Sequence, residues 1–189
     1  MQNFGESIRK EKPLRTIALK TGGREIGYAV LEGSQLLLFG VRRLKGRGAR
    51  EMGVHLRRFV EQLAIGFRAT VLVGERRLGR DRRRRPSSFE RELRDSARSL
   101  KARVRLLPVA LVKQTLTGDP NASTRQVAET IVESYPYLSR YLRIDVRTRK
   151  WYWYKMFEAV SLGITAHEQR SKERVMRALR AVGGVHKGA

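Results

Sequence analysis

The sequence contains no cysteine, which excludes disulfides and cysteine-ligated zinc. Histidine is scarce as well. His55, His167 and His186 are scattered along the chain, which argues against a His-rich metal site. Apolar runs are short. Stretches such as Leu36–Phe39 and Pro108–Val112 fall far below the roughly 20 residues that a membrane-spanning helix needs. The first residues, MQNFGESIRKEKPLR, hold no apolar segment of the kind a secretory signal carries, and a cytoplasmic location is the expectation. Acidic residues are the last scarcity: 18 Asp and Glu stand against 41 Lys and Arg.

That imbalance gives a formal charge of +23 over 189 residues. Such an excess repels itself and calls for a polyanionic partner, of which nucleic acid is the commonest. An anionic membrane surface fits less well, because no basic amphipathic helix stands apart from the core pattern. At 41% hydrophobic residues the chain has enough apolar matter for a core, and its length suits one domain with short tails.

Residues 1–14 are polar and read as a flexible lead. RTIALK (15–20), IGYAVLEG (26–33) and SQLLLFGVRRL (34–44) read as three strands with short Gly-rich spacers, hence an antiparallel meander. Leu56, Phe59, Val60, Leu63, Ala64 and Phe67 recur at helical spacing and predict a helix over 49–67. TVLVGE (70–75) is a buried strand. Helix follows from Pro86 to about Lys101, then a fifth strand over 103–108. ALVKQTL is a short helical turn, and Ser123 can cap a helix over 124–134. The stretch 135–150 is mixed and aromatic. A strongly apolar helix begins near Trp153, and 168–181 either extends or breaks it. Three antiparallel strands followed by strands with helical crossovers describe an α/β fold, a mixed five-stranded sheet flanked by helices. The expected organisation is a lead (1–14), a domain (15–168) with an Arg-rich loop at 76–88, and a helical extension and tail (169–189).

Three stretches, in this order, resemble the RuvC-like branch of the ribonuclease H fold, the Holliday junction resolvases. The first is IALKTGGREIGYAVLE (17–32), where Gly22, Arg24, Gly27 and Tyr28 match the opening hairpin. The second is LLPVALVKQTLTGDPNASTRQVAETIV (106–132), where Pro108, Lys113, Thr117, Gly118, Ala122, Gln126 and Val127 match and Thr124 stands where Lys is usual. The third, KMFEAVSLGITAH (155–167), is similar to the final helix that carries Asp-x-x-Asp-Ala. The resemblance implies a ribonuclease H-like sheet, a phosphodiester as ligand and, since resolvases of this kind are dimers, a possible homodimer.

Members of that family cut phosphodiesters with two Mg²⁺ ions held by four carboxylates. Two divalent cations a few ångström apart need clustered negative charge and hard oxygen ligands. Here Lys20 stands at the first position and Lys155 at the first acid of the last helix. An ammonium has no lone pair to offer a metal. One unit pair at ~4 Å is worth ~4 kcal/mol at an effective dielectric of ~20, so exchanging an acid for a base is enough to abolish Mg²⁺ binding. Glu75, or the neighbouring position Gly74, ends the fourth strand, and Glu158 follows Lys155 by one turn. The remnant Lys20, Glu75, Lys155 and Glu158 can form a salt-bridged plug in which the two lysines pair with the two glutamates. The expectation is a nucleic-acid-binding pseudo-nuclease with no cofactor. Two alternatives stay open. One is an active Mg²⁺-dependent endonuclease with Glu25 or Asp145 as substitute ligands. The other is a protein subunit of a ribonucleoprotein. His167, two turns beyond Glu158, reads as a helix-end histidine rather than a ligand or base.

Cations cluster beside this remnant. Arg76, Arg77, Arg80, Arg82, Arg83, Arg84 and Arg85 follow the strand that carries Glu75, and guanidiniums there can grip phosphates. Lys113 and Thr117 are phosphate-approach residues by resemblance, and Arg24 could reach the same groove. DNA is favoured over RNA as ligand. Gly22 and Gly23 sit between strands, which is the wrong context for a phosphate loop. Half of the 14 aromatic residues lie in 135–154. Exposed rings beside cations would suit base stacking. The competing and preferred reading has Trp153 and Phe157 packing inward, with the other rings covering the start of the helix or a subunit contact.

Overall fold

The computed structural model describes residues 14–76, 87–148 and 151–183. Strands β1 (Arg15–Gly22), β2 (Glu25–Glu32) and β3 (Gln35–Arg43) form the antiparallel meander. Two-residue turns join them. Gly23 and Gly33 occupy the first central position of each with φ of 64° and 61°, a left-handed conformation that glycine adopts without a Cβ penalty. Helix α1 (Ala49–Phe67) then crosses to β4 (Val71–Arg76), and α2 (Ser88–Ser99) crosses to β5 (Arg103–Pro108). Both crossovers deliver parallel pairings, β1 with β4 and β4 with β5. The sheet order is β3-β2-β1-β4-β5, a mixed five-stranded sheet as expected from the sequence.

The pleat divides the side chains between two layers. Ile17, Leu19 and Leu72 face α1 and α2 and pack with Leu56, Phe59 and Leu93. Ala18 and Val73 face the other way and pack with Leu162 and Ala166. That second layer is built from α3 (Val109–Thr117), α4 (Thr124–Ser134), α5 (Ser139–Thr148) and α6 (Tyr154–Gly183). Ser123 caps α4 in a capping box with Gln126. Helix α5, with a short 3-10 turn before it at Pro136–Leu138, fills the stretch that the sequence left mixed.

Helix α6 lies across the centre of the sheet. Two glycines let it come close: a Cβ on Gly27 would strike the backbone of Lys155 and lie 2.7 Å from the Met156 nitrogen, and one on Gly163 would strike the side chain of Leu31. Met156, Phe157, Ala159 and Val160 are fully buried there. Beyond Ser171 every described side chain of the helix is exposed. The helix does not break at 168. His167 is therefore a mid-helix residue, not a helix-end one, because the segment after it is rich in Ala, Arg, Glu, Lys and Leu with no proline and no glycine before Gly183.

The aromatic segment packs largely inward. Phe157 and Tyr154 are buried, the Trp153 ring packs at a tilt against Tyr141 with centroids 4.4 Å apart, and Tyr141 meets Phe39 of β3 edge-on at 5.7 Å. Trp151 and Tyr137 stay exposed. No helix among the described residues is long and apolar enough to cross a membrane.

Candidate nucleic-acid interface

Period-two alternation places Lys20 on the same face as Ala18, and Glu75 on the same face as Val73, so both point at α6. The β1–β4 ladder pairs Leu19 with Gly74, which sets Lys20 and Glu75 side by side at the ends of their strands. The Lys20 ammonium donates to Glu75 Oε2 and lies 3.2 Å from Glu158 Oε1. Burial of this side chain works to lower its pKa. The Glu158 charge and the hydrogen bond and charge of Glu75 outweigh that, and the net result is a pKa raised above 10.5. The ammonium is thus held charged between two carboxylates.

Lys155 does not join them. Its ammonium pairs with Glu25 at the start of β2 rather than with Glu158. The cause is geometric. The backbone of Lys155 rests on Gly27, and its Cε is 2.6 Å from where a Cβ of Gly22 would be, so the side chain runs along the β1–β2 hairpin toward Glu25. Glu25 is thereby engaged by a cation. Asp145 is buried on α5, and its Oδ2 accepts from the Tyr154 N–H at 2.8 Å. It serves as a cap for α6. Burial raises its pKa above 3.8, against the pull of the Tyr154, Trp153 and Tyr152 N–H groups and the Lys155 charge.

A small cleft opens over the Lys20 pair, and Lys113 of α3 lines it together with Thr124 of α4 and Ser161 of α6. Lys113 is therefore brought to the cluster. Thr117 is not: its hydroxyl donates to the Lys113 carbonyl at 2.9 Å and accepts from the Asp119 N–H at 3.3 Å, closing the end of α3. Thr124 takes the place in the cleft that sequence matching gave to Thr117. The signal was available, since Thr124 sits where the resolvase pattern carries a lysine. Arg24 is exposed at the tip of the β1–β2 turn, and Arg76 is exposed at the end of β4. Arg77, Arg80, Arg82, Arg83, Arg84 and Arg85 lie outside the described residues. A second cavity of about 200 Å³ flanks Glu75 on the α1–α2 side, lined by Thr21, Gly53 and Phe89 among others.

No protein-family model and no curated protein matches the sequence. Solved structures do match. Thermus thermophilus RuvC superposes with a TM-score of 0.61 over 84% of this chain and 97% of its own, at 16% identity. This chain has the RuvC fold. The same Thermus protein in complex with a Holliday junction substrate matches with a TM-score of 0.58 at 14% identity, over 84% of this chain and 96% of that one. The yeast mitochondrial Holliday junction resolvase also matches at 0.58, with 9% identity, over 89% of this chain and 85% of its own. Among the described residues, no three acidic or histidine side chains gather as ligands of a metal ion would. Within this RuvC fold the ends of β1 and β4 and the adjoining turn of α6 carry one ammonium clasped by two carboxylates.

Proposed function

We propose that the protein binds nucleic acid electrostatically on the face where β1 and β4 end, and holds the phosphodiester without cleaving it. The observation that carries this reading is the Lys20 ammonium between Glu75 and Glu158. A two-Mg²⁺ centre needs several free carboxylate oxygens around one point. Here a fixed cation already uses oxygens of both glutamates, and a divalent ion placed beside it would meet its full positive charge. The residues present do not suit a metal pair.

The charge arithmetic of the cluster supports binding rather than chemistry. Lys20, Lys113 and Lys155 balance Glu25, Glu75 and Glu158. Bare carboxylates at this place would repel a phosphate. With the lysines present the repulsion is gone, and the surrounding cations supply the attraction. Arg24, Arg76 and the Arg-rich run up to Arg85 are the candidates, within a chain of net charge +23. DNA is the preferred ligand in this reading, and branched DNA the first to test, because the RuvC structure of the same fold was solved with a Holliday junction substrate.

Binding to a four-way junction is expected to weaken steeply with salt, with a log–log slope of roughly −0.9 per phosphate neutralised. Incubation of the junction with protein and Mg²⁺ or Mn²⁺ is expected to leave it intact. Metal-dependent nicks that disappear in Glu158→Gln would overturn the reading, and so would an affinity indifferent to salt.

A further inference from the structure

At the opposite end of the parallel strands the sheet and α6 enclose an open cleft of about 550 Å³. Its floor is formed by Thr16, Val71 and Val104, near the starts of β1, β4 and β5. Arg103 and Arg105 project from one side, and Arg170, Arg174 and Arg177 from the other. Spacings of four and three residues put the last three on one face of α6. Among the described residues the lining holds one acid, Glu173, and Arg105 engages it while donating to the Ala166 carbonyl at 3.1 Å. Arg105 is therefore a fixed member of the wall. These arginines come from segments more than 60 residues apart, so no local pattern in the sequence brings them together.

We propose that this cleft is a second anchoring site for the sugar–phosphate backbone of nucleic acid, separate from the Lys20 face. Gathering Arg103, Arg105, Arg170 and Arg177 around a concavity that has one carboxylate among the described residues is unfavourable for the fold by itself and favourable once an anion enters. No Phe, Tyr or Trp lines the cleft among the described residues, so it offers no large ring platform for a base. The arginines from 170 to 177 extend along about 10 Å of helix, the rise of about three nucleotides of one strand, which suits a polymer better than a single small anion. The two sites are separated by four residues of β1, roughly 13 Å, and by twelve residues of α6, roughly 18 Å. One continuous duplex lying along α6, or two arms of a branch, can engage both.

The test is arginine footprinting of the full chain with phenylglyoxal, read by mass spectrometry, with and without a DNA duplex. Arg103, Arg170 and Arg177 are expected to be protected several-fold by the duplex. The combined substitutions Arg103→Ala, Arg170→Ala and Arg177→Ala are expected to reduce the salt slope of binding by about 0.9 for each phosphate no longer neutralised. Equal modification with and without duplex would overturn the proposal. Protection by inorganic pyrophosphate alone would overturn it too, since the cleft would then hold small anions only. Lys113→Glu separates the two readings: cleft protection together with an affinity unmoved by Lys113→Glu would remove the Lys20-face reading and leave this one standing.

Discussion

A lysine ammonium that gives up part of its hydration shell must recover that free energy from carboxylates, and Lys20 has two in reach. Its side chain and that of Glu75 are each 18% exposed, so the pair is screened by water less than a surface pair. Removing one partner from a fully buried pair costs about 3–5 kcal/mol, and for this part-exposed group Lys20→Met is expected to cost about 2 kcal/mol, measured by urea unfolding at neutral pH. The sign of the pH dependence follows from the raised pKa. The folded state holds the proton more tightly, so the stabilisation is complete below 10.5 and is lost as pH rises through the higher folded value. The difference in unfolding free energy between wild type and Lys20→Met is therefore expected to shrink at strongly alkaline pH. A difference that grows there would contradict the ion-pair geometry. Asp145 is the second residue with such leverage. It satisfies the Tyr154 N–H at the start of α6, and Asp145→Ala is expected to cost about 1–2 kcal/mol by the same measurement.

Among the elements, α6 carries the contrast that matters most. Its first half is locked to β1 and β2 by close approach at Gly27 and Gly163, and its second half extends into solvent. A Cβ at Gly27 meets backbone, which cannot rotate away as a flexible side chain could. Gly27→Ala is therefore expected to shift α6 off the sheet and cost about 3 kcal/mol or more, with a matching fall in Tm. The shift would also move Lys155 and Glu158, so weaker nucleic-acid binding should accompany the lower stability. Amide exchange follows the same division. The amides of 157–166 are expected to exchange slowly and those of 171–180 quickly, because the latter have helical hydrogen bonds but no buried side chains to protect them.

At the scale of the molecule, a charge of +23 on 189 residues opposes compactness. The fold sets several acids against arginines, as in Arg57 with Glu92 and Arg15 with Glu32, yet 18 acids cannot neutralise 41 bases. Self-repulsion weakens with ionic strength, with a Debye length of ~30 Å at 0.01 M and ~10 Å at 0.1 M. Tm is expected to rise across that range of salt, while nucleic-acid affinity falls across it. Opposite trends in the two measurements are the signature of one charge excess acting on folding and on binding.

Much of this was legible in the residues themselves. Short apolar runs bounded by turn residues located β1 to β5, helical spacing of apolar residues located α1, and the Ser123 cap located α4. The resemblance to the resolvase motifs is what placed Lys20 at the end of β1 and Glu75 at the end of β4. Helix α5 escaped notice because the buried position one turn after Leu142 is Asp145, a carboxylate spent on capping α6, which breaks the apolar period. Composition and local pattern alone determined the strands, the main helices and the excess of positive charge. Only the tertiary structure decided that Lys155 pairs with Glu25 and not Glu158, that Thr124 enters the cleft in place of Thr117, and that arginines of β5 and α6 share a second cleft. The physical reason is common to all three. A partner 130 residues away is chosen by the approach of packed backbones and the direction of side chains, and no local period encodes either.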